Sequence, residues 1–296
     1  MVNSDTNNIF SDPTWISATA TRNYASSEHL LDWLNLYGES KGFKQDNQYD
    51  GYDERTDFSR FVMNKGIEFE SAVARHLSEK LEMTTILKDG EDRRNPDLVN
   101  RTEEAMIEGI PLIYQGILKN PHNKTYGIAD FLIRSDFLKT IFPESISDED
   151  SKVSASNLGN KGWHYRVIDA KFTTLKFGAK GTLSPSGSNW GYMIQVYIYN
   201  QALGYMQGFV PDGGYLLGRR WEQKIKGETY RSNSCVDRLA FIPDDTYARS
   251  KGDLSQSVHL ACDWVRKVRA EGNSWSVLPE PSIPELRPNM SSDRDQ

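Results

Sequence analysis

The chain has 296 residues, 38% hydrophobic and 26% charged, which allows a buried core and argues against global disorder. Its formal net charge of −6 does not by itself advertise a nucleic-acid binder. Its two cysteines, Cys235 and Cys262, suit a reducing compartment and are too few for a four-cysteine zinc or iron–sulfur centre.

The start, Met1-Val2-Asn3-Ser4-Asp5, lacks the apolar stretch of a secretory signal, and no apolar run reaches the roughly 18 residues of a membrane span. An intracellular protein is expected, cytoplasmic or, in a eukaryote, nuclear, with no membrane partner. Residues 1–55 read as an N-terminal extension. Polar, turn-rich residues 1–26 predict an irregular lead-in. Ser27 suits the N-cap of a short helix from Glu28 to about Tyr37, with Leu30, Leu31, Trp33 and Leu34 on its apolar side. Residues 38–55 are a hydrophilic loop.

A longer helix is predicted over 57–80, capped by Thr56 and with Asp57 at its positive end. Phe58, Val62, Phe69, Val73, Leu77 and Leu81 recur at helical spacing. Gly66 in this helix should cost about 1 kcal/mol relative to Ala, which close packing of the helix would justify. Glu70, four residues on, shares its face and flanks Val73 and Ala74. Taken alone, such a Glu is simply the edge of an amphipathic helix. Residues 88–101 read as a loop, and Thr102-Glu103-Glu104 opens a short helix that Pro111 closes. Strands are predicted at about 112–118 and 126–134, joined by the turn chemistry of Asn120-Pro121-His122-Asn123-Lys124. Asp130 stands in the middle of the second strand, where a carboxylate needs a partner.

Residues 143–162 predict a flexible surface insertion. Tyr165-Arg166-Val167-Ile168-Asp169-Ala170-Lys171 then reads as a buried strand within a strand region of about 163–171. Its period of two puts Asp169 and Lys171 on one face and Ala170 on the other. A Gly/Ser/Lys loop follows over 173–189, carrying Lys176 and Lys180, and is either a mobile connection or a segment that orders over a ligand. A helix over 190–207 has Ile194, Ile198 and Met206 towards the core, and Gln195 and Tyr199 stacked on one face. Trp190 and Tyr192 could equally pack in the core or stack on unpaired bases. Strands at about 214–218 and 236–242 flank a basic connection, Arg219 to Lys226, and a closing helix covers 254–270. Residues 273–296 form a Pro-rich tail or linker.

Charge is unevenly spread. Residues 1–60 carry ten acids against five bases, whereas residues 161–232 carry ten bases against four acids. A basic region around a central acid suits a phosphodiester site, though a solvated face has the same composition.

Gly66-x-x-x-Glu70 on a helix, Gly127-x-x-Asp130 on a strand, Asp169-x-Lys171 on the next strand and Gln195-x-x-x-Tyr199 on the following helix form one ordered set. Over roughly residues 56–220 this order resembles the PD-(D/E)XK nuclease superfamily and, within it, the RecB-like exonucleases. The resemblance implies an α/β fold with a central mixed β-sheet flanked by helices, a restriction-endonuclease-like core, and a nuclease domain over 56–272. It implies that Glu70, Asp130, Asp169 and the backbone carbonyl of Ala170 bind Mg²⁺ or Mn²⁺, and that Lys171 holds or activates the attacking water. Gln195 and Tyr199 would line the path of the strand, and Arg219, Arg220, Lys176 and Lys180 would contact phosphates. The activity implied is DNA phosphodiester hydrolysis in repair, recombination or replication. The partners implied are single- or double-stranded DNA and a helicase or other replication or repair protein. An endonuclease of restriction, homing or structure-specific type, and a non-catalytic nucleic-acid-binding module, are the alternatives. Glu70 replaces the His that some RecB-like enzymes carry at the first position. The chain's five histidines show no paired zinc spacing, and no nucleotide-binding P-loop is present.

Overall fold

Runs of β-branched and aromatic residues, spaced by helices with a continuous apolar face, give this chain a central mixed sheet with helices on both sides; Tyr247–Ala248 and Gly252–Asp253 form a separate two-stranded ribbon. The computed structural model describes residues 8–289; the expectations for the first five residues and for the end of the tail fall outside them. The strands are β1 Ile16–Ser17, β2 Met83–Thr85, β3 Leu112–Asn120, β4 Thr125–Arg134, β5 Tyr165–Phe177, β6 Gly213–Ile225, β7 Glu228–Arg231 and β8 Ala240–Pro243. The helices are α1 Arg22–Ala25, α2 His29–Trp33, α3 Phe58–Ser78, α4 Asp97–Glu108, α5 Ser135–Ile141, α6 Asn189–Gln207 and α7 Leu254–Glu271.

The sheet has eight strands, more than the four or five expected. Its order is β2-β3-β4-β5-β6-β7, with β1 added to β4 and β8 to β6. β3, β4 and β5 are antiparallel neighbours, while β5 and β6 are parallel. Parallel neighbours need a crossover, and α6 supplies it. Period-two alternation splits the sheet's apolar residues between two cores. Val167, Leu132 and Leu216 meet α6, α4 and α7 on one side. Ile168, Phe131, Ile133 and Leu217 meet α3 and α5 on the other. Burying each such side chain is worth about 1.5–3 kcal/mol.

Several boundaries differ from expectation. The helix capped by Ser27 starts at His29 with Glu28 in the N-cap position, because Ser27 has a left-handed backbone, φ 60°. Asp57, not Thr56, caps α3: its carboxylate accepts the Arg60 N–H. Phe58 and Val62 are exposed, along with Phe61, Met63 and Ile67, because α3 meets the sheet only from Phe69 onward. α4 starts at Asp97, so Thr102 lies inside it; there the hydroxyl donates to the Leu98 carbonyl and accepts the Ile117 N–H, pinning helix to strand. Gly109, at φ 82°, ends that helix before Pro111 is reached.

The start of the predicted loop 173–189, as far as Phe177, and the basic connection 219–226, as far as Ile225, are strand. β5 and β6 run on together as far as Phe177 and Gln223, and β7 folds back on β6. Lys and Arg side chains on two edge-exposed strands look like loop composition in one dimension. Residues 143–162 include two 3₁₀ turns and bury Ile146, Ala155 and Leu158. The lead-in also packs inward: Trp15 and Ile16 are buried, and β1 pairs with β4. Trp275 and Leu286, in the Pro-rich segment, are buried as well.

Candidate functional site

The site forms where the sheet stops being regular. The β4–β5 ladder runs from Arg134↔Tyr165 to Phe131↔Ile168, and no further. The next pair in register would be Asp130 and Asp169. There the strands part, and the Ala170 N–H donates to Asp130 Oδ2 at 2.7 Å instead of to a backbone carbonyl of β4. β1 takes over the edge that β4 releases, pairing Ile16 with Thr125 and Ser17 with Tyr126. On the far side of β4, β3 pairs at Tyr114↔Phe131 and Gly116↔Ala129 and skips Gln115 opposite Asp130. Between β5 and β6 the register shifts by one residue just past Lys171. Three adjacent ladders therefore fail at one level.

The chemistry-bearing side chains gather there. Asp169 is fully buried, and its Oδ2 lies 2.7 Å from Lys171 Nζ. The pair is held by charge, and among the described residues no backbone or neutral side-chain donor reaches the Asp169 carboxylate. Asp130 is half-buried. Glu70, on α3, accepts a hydrogen bond from Gln115 Nε2 at 3.0 Å. Lys171 also stands over the Tyr192 ring, 5.6 Å from its centroid.

Charge is out of balance in this group. Burial, then Asp169, push the Asp130 carboxyl well above its usual range. Burial also raises Asp169, against the pull of Lys171. Burial alone would lower the Lys171 ammonium, but Asp169 and Asp130 outweigh it and the net shift is upward. Lys171 therefore stays protonated. Three carboxyl groups share one ammonium, so their full ionisation is costly in a low-dielectric site without a further cation.

This donor set fits a hard divalent ion. It supplies hard oxygen ligands and carboxyl groups that outnumber the one ammonium beside them. Among the described residues, however, no three His, Cys, Asp or Glu side chains already converge as a ready-made cage. Each carboxylate has one partner here: Glu70 accepts from Gln115, Asp130 accepts from the Ala170 N–H, and Asp169 pairs with Lys171. Mg²⁺ commonly takes one or two carboxylates and completes its shell with water and substrate phosphate, which such a set permits.

Gln195 and Tyr199 brace the site from α6. Gln195 Nε2 donates to the Tyr199 hydroxyl at 2.7 Å, and the Tyr199 ring is buried. Burial first, then Asp169, Asp130 and Glu70, push its phenol pKa upward, so it stays neutral. The ring lies against Gly127: a Cβ there would come within 2.3 Å of Tyr199 Cε1. Gly66 is different, with nothing within 4 Å of the Cβ it lacks. Close helix packing, one expected reason for that glycine, is therefore absent.

Arg219, within β6 where its register with β5 shifts, places its guanidinium 4.6 Å from the Phe172 ring, which leans on Phe69 of α3. Arg220 and Lys176 are exposed on β6 and β5, and Lys180 lies exposed in the turn after β5. Trp190 is buried and packs in the core, so it offers no platform for bases; Tyr192 is half-buried beside Lys171. His164 is buried away from the site, its Nδ1–H donating to the Val153 carbonyl, and burial lowers its pKa to about 4. Two neighbours were not picked out from sequence, Gln115 and Tyr114. The signal for Gln115 was the one that marked Asp130, a polar residue inside an apolar strand.

No protein-family model matches the chain, and no curated protein matches it. Among the described residues, no helix is long and apolar enough to cross a membrane.

Proposed function

We propose that this chain is a metal-dependent nuclease that hydrolyses DNA phosphodiester bonds on a restriction-endonuclease-like core, with the residue pattern of a RecB-like exonuclease. One observation carries the reading. Asp130, Asp169 and Lys171, from two neighbouring strands, lie at the level where the sheet ladders break, and Glu70 on α3 is near enough for its charge to act on both aspartates.

Glu70, Asp130 and Asp169, with the Ala170 carbonyl, are the residues that would hold Mg²⁺ or Mn²⁺. When bound, the ion supplies charge neutralisation at the phosphate and a lowered pKa for water. The chain's own groups do the rest. Lys171, paired with Asp169, acts as an electrostatic stabiliser of charge developing on the phosphoryl oxygens. Asp169 holds that ammonium in place. Gln195 and Tyr199 fix the wall behind the carboxylates. Arg219, Arg220, Lys176 and Lys180 offer cations to the phosphate backbone on the side where β5 and β6 run out.

The test is a digestion of linear and circular, single- and double-stranded DNA with Mg²⁺, with Mn²⁺ and with chelator. Cleavage that needs metal, and that Asp169→Ala and Lys171→Ala abolish while leaving the circular dichroism spectrum intact, is expected. An intact circular substrate marks an exonuclease, and an opened one marks an endonuclease. Tight DNA binding without turnover in either metal overturns the enzymatic reading.

A further inference from the structure

Gln115 breaks three local rules at once. It has φ 55° in the interior of β3, a left-handed conformation that costs a non-glycine residue about 1 kcal/mol or more. It gives up its ladder pairing opposite Asp130, although the register continues unchanged on either side. It also places a half-buried polar side chain in a strand whose neighbours Ile113, Ile117 and Leu118 are fully buried. A sequence keeps such a residue only where the surroundings use it.

What the distortion achieves is a contact. Gln115 Nε2 reaches Glu70 Oε1 at 3.0 Å and the Tyr114 hydroxyl at 3.3 Å. Glu70 needs such an anchor. It sits on α3 at the point where the helix first meets the body, after a stretch in which Phe58, Phe61, Met63 and Ile67 are exposed. An amide is the suitable partner. It donates an N–H without neutralising the carboxylate, as a Lys would, and without repelling it, as a Glu would. A carboxylate that has accepted one N–H keeps lone pairs for a cation.

From this geometry we infer that Gln115 is a positioning residue for Glu70: it aims that carboxylate into the metal site formed with Asp130 and Asp169. The inference rests on the nuclease reading above. Partners that orient a ligand typically contribute 10–100-fold to metal affinity.

The experiment measures Mn²⁺ binding by titration calorimetry, urea unfolding, and cleavage over a range of Mn²⁺ concentration, for wild type, Gln115→Gly and Gln115→Asn. Glycine adopts the left-handed backbone freely, and asparagine tolerates it while being one methylene too short to reach Glu70. At least one of the two variants is thereby kept folded. The expected result is unfolding stability at or above wild type together with Mn²⁺ binding about 10–100-fold weaker. Cleavage by the variants should recover towards the wild-type rate at saturating Mn²⁺, which a general structural defect would not allow. If the wild type cuts and a folded variant binds Mn²⁺ as tightly as wild type, the assignment of Gln115 is wrong and the nuclease reading stands. If the wild type neither binds Mn²⁺ nor cuts, both are wrong.

Discussion

Gly127→Ala tests whether two motifs far apart in sequence are one packing unit. The added Cβ would lie 2.3 Å from Tyr199 Cε1, 3.0 Å from Cδ1 and 3.3 Å from the Ala18 Cβ. Ordinary carbon contacts begin near about 3.5 Å, so the overlap on the ring exceeds about 1 Å. The ring has little room to yield: it is buried, and Gln195 holds its hydroxyl at 2.7 Å. Overpacking of this kind costs about 1–3 kcal/mol. The backbone at Gly127 is not left-handed, so alanine carries no conformational penalty and recovers about 0.4–1 kcal/mol from the unfolded chain. A net loss of about 1–2 kcal/mol is expected. The assay is urea unfolding followed by tryptophan fluorescence, in a double-mutant cycle with Tyr199→Leu. In the protein that already carries Tyr199→Leu, the penalty should vanish or reverse. An equal penalty with and without the ring would refute the argument, since the strain would then lie elsewhere.

Gly66→Ala should raise stability by about 1 kcal/mol, because the helix gains propensity and the new methyl meets nothing; a lower melting temperature would show an unseen contact. Asp244 has its carboxyl pushed up to about 6, chiefly by burial and against hydrogen bonds from Asn200 and Gln201. Its folded form therefore keeps a proton that the unfolded chain loses from 3.8 upward, so it lowers stability as pH rises from about 4 to about 6 and has no further effect above that. Asp244→Asn should remove this fall, worth about 3 kcal/mol at most, and unfolding curves of the two proteins should converge at pH 4. Arg219→Ala should weaken binding to DNA of any sequence and reduce the slope of log affinity against log salt by up to about 0.9, as loss of one phosphate contact requires. An unchanged slope would take Arg219 off the DNA path.

Side-chain periodicity made much of the molecule legible. Alternation alone puts Asp169 and Lys171 on one face, and their charged groups lie 2.7 Å apart. The α6 and α7 helices, the β3–β4 hairpin and the α/β class with a central mixed sheet all follow from local pattern. These features depend on the chain's own repeat, which tertiary contacts reinforce and do not create. The same rule overreached in α3, where Phe58 and Val62 fit the helical stripe but find no surface to pack on.

The sequence by itself determined which elements bear the candidate residues: carboxylates inside apolar strands, a glycine one turn before Glu70, a basic segment after Lys171. Only the tertiary structure decided how they meet. Whether β4 and β5 part at Asp130 and Asp169, whether Gln115 leaves its ladder to hold Glu70, and whether Gly127 lies against the Tyr199 ring are questions of register and packing between segments tens of residues apart. Strand register, and the irregularities in it, are set by which faces must be buried against one another once the chain has collapsed, and no local propensity encodes that choice.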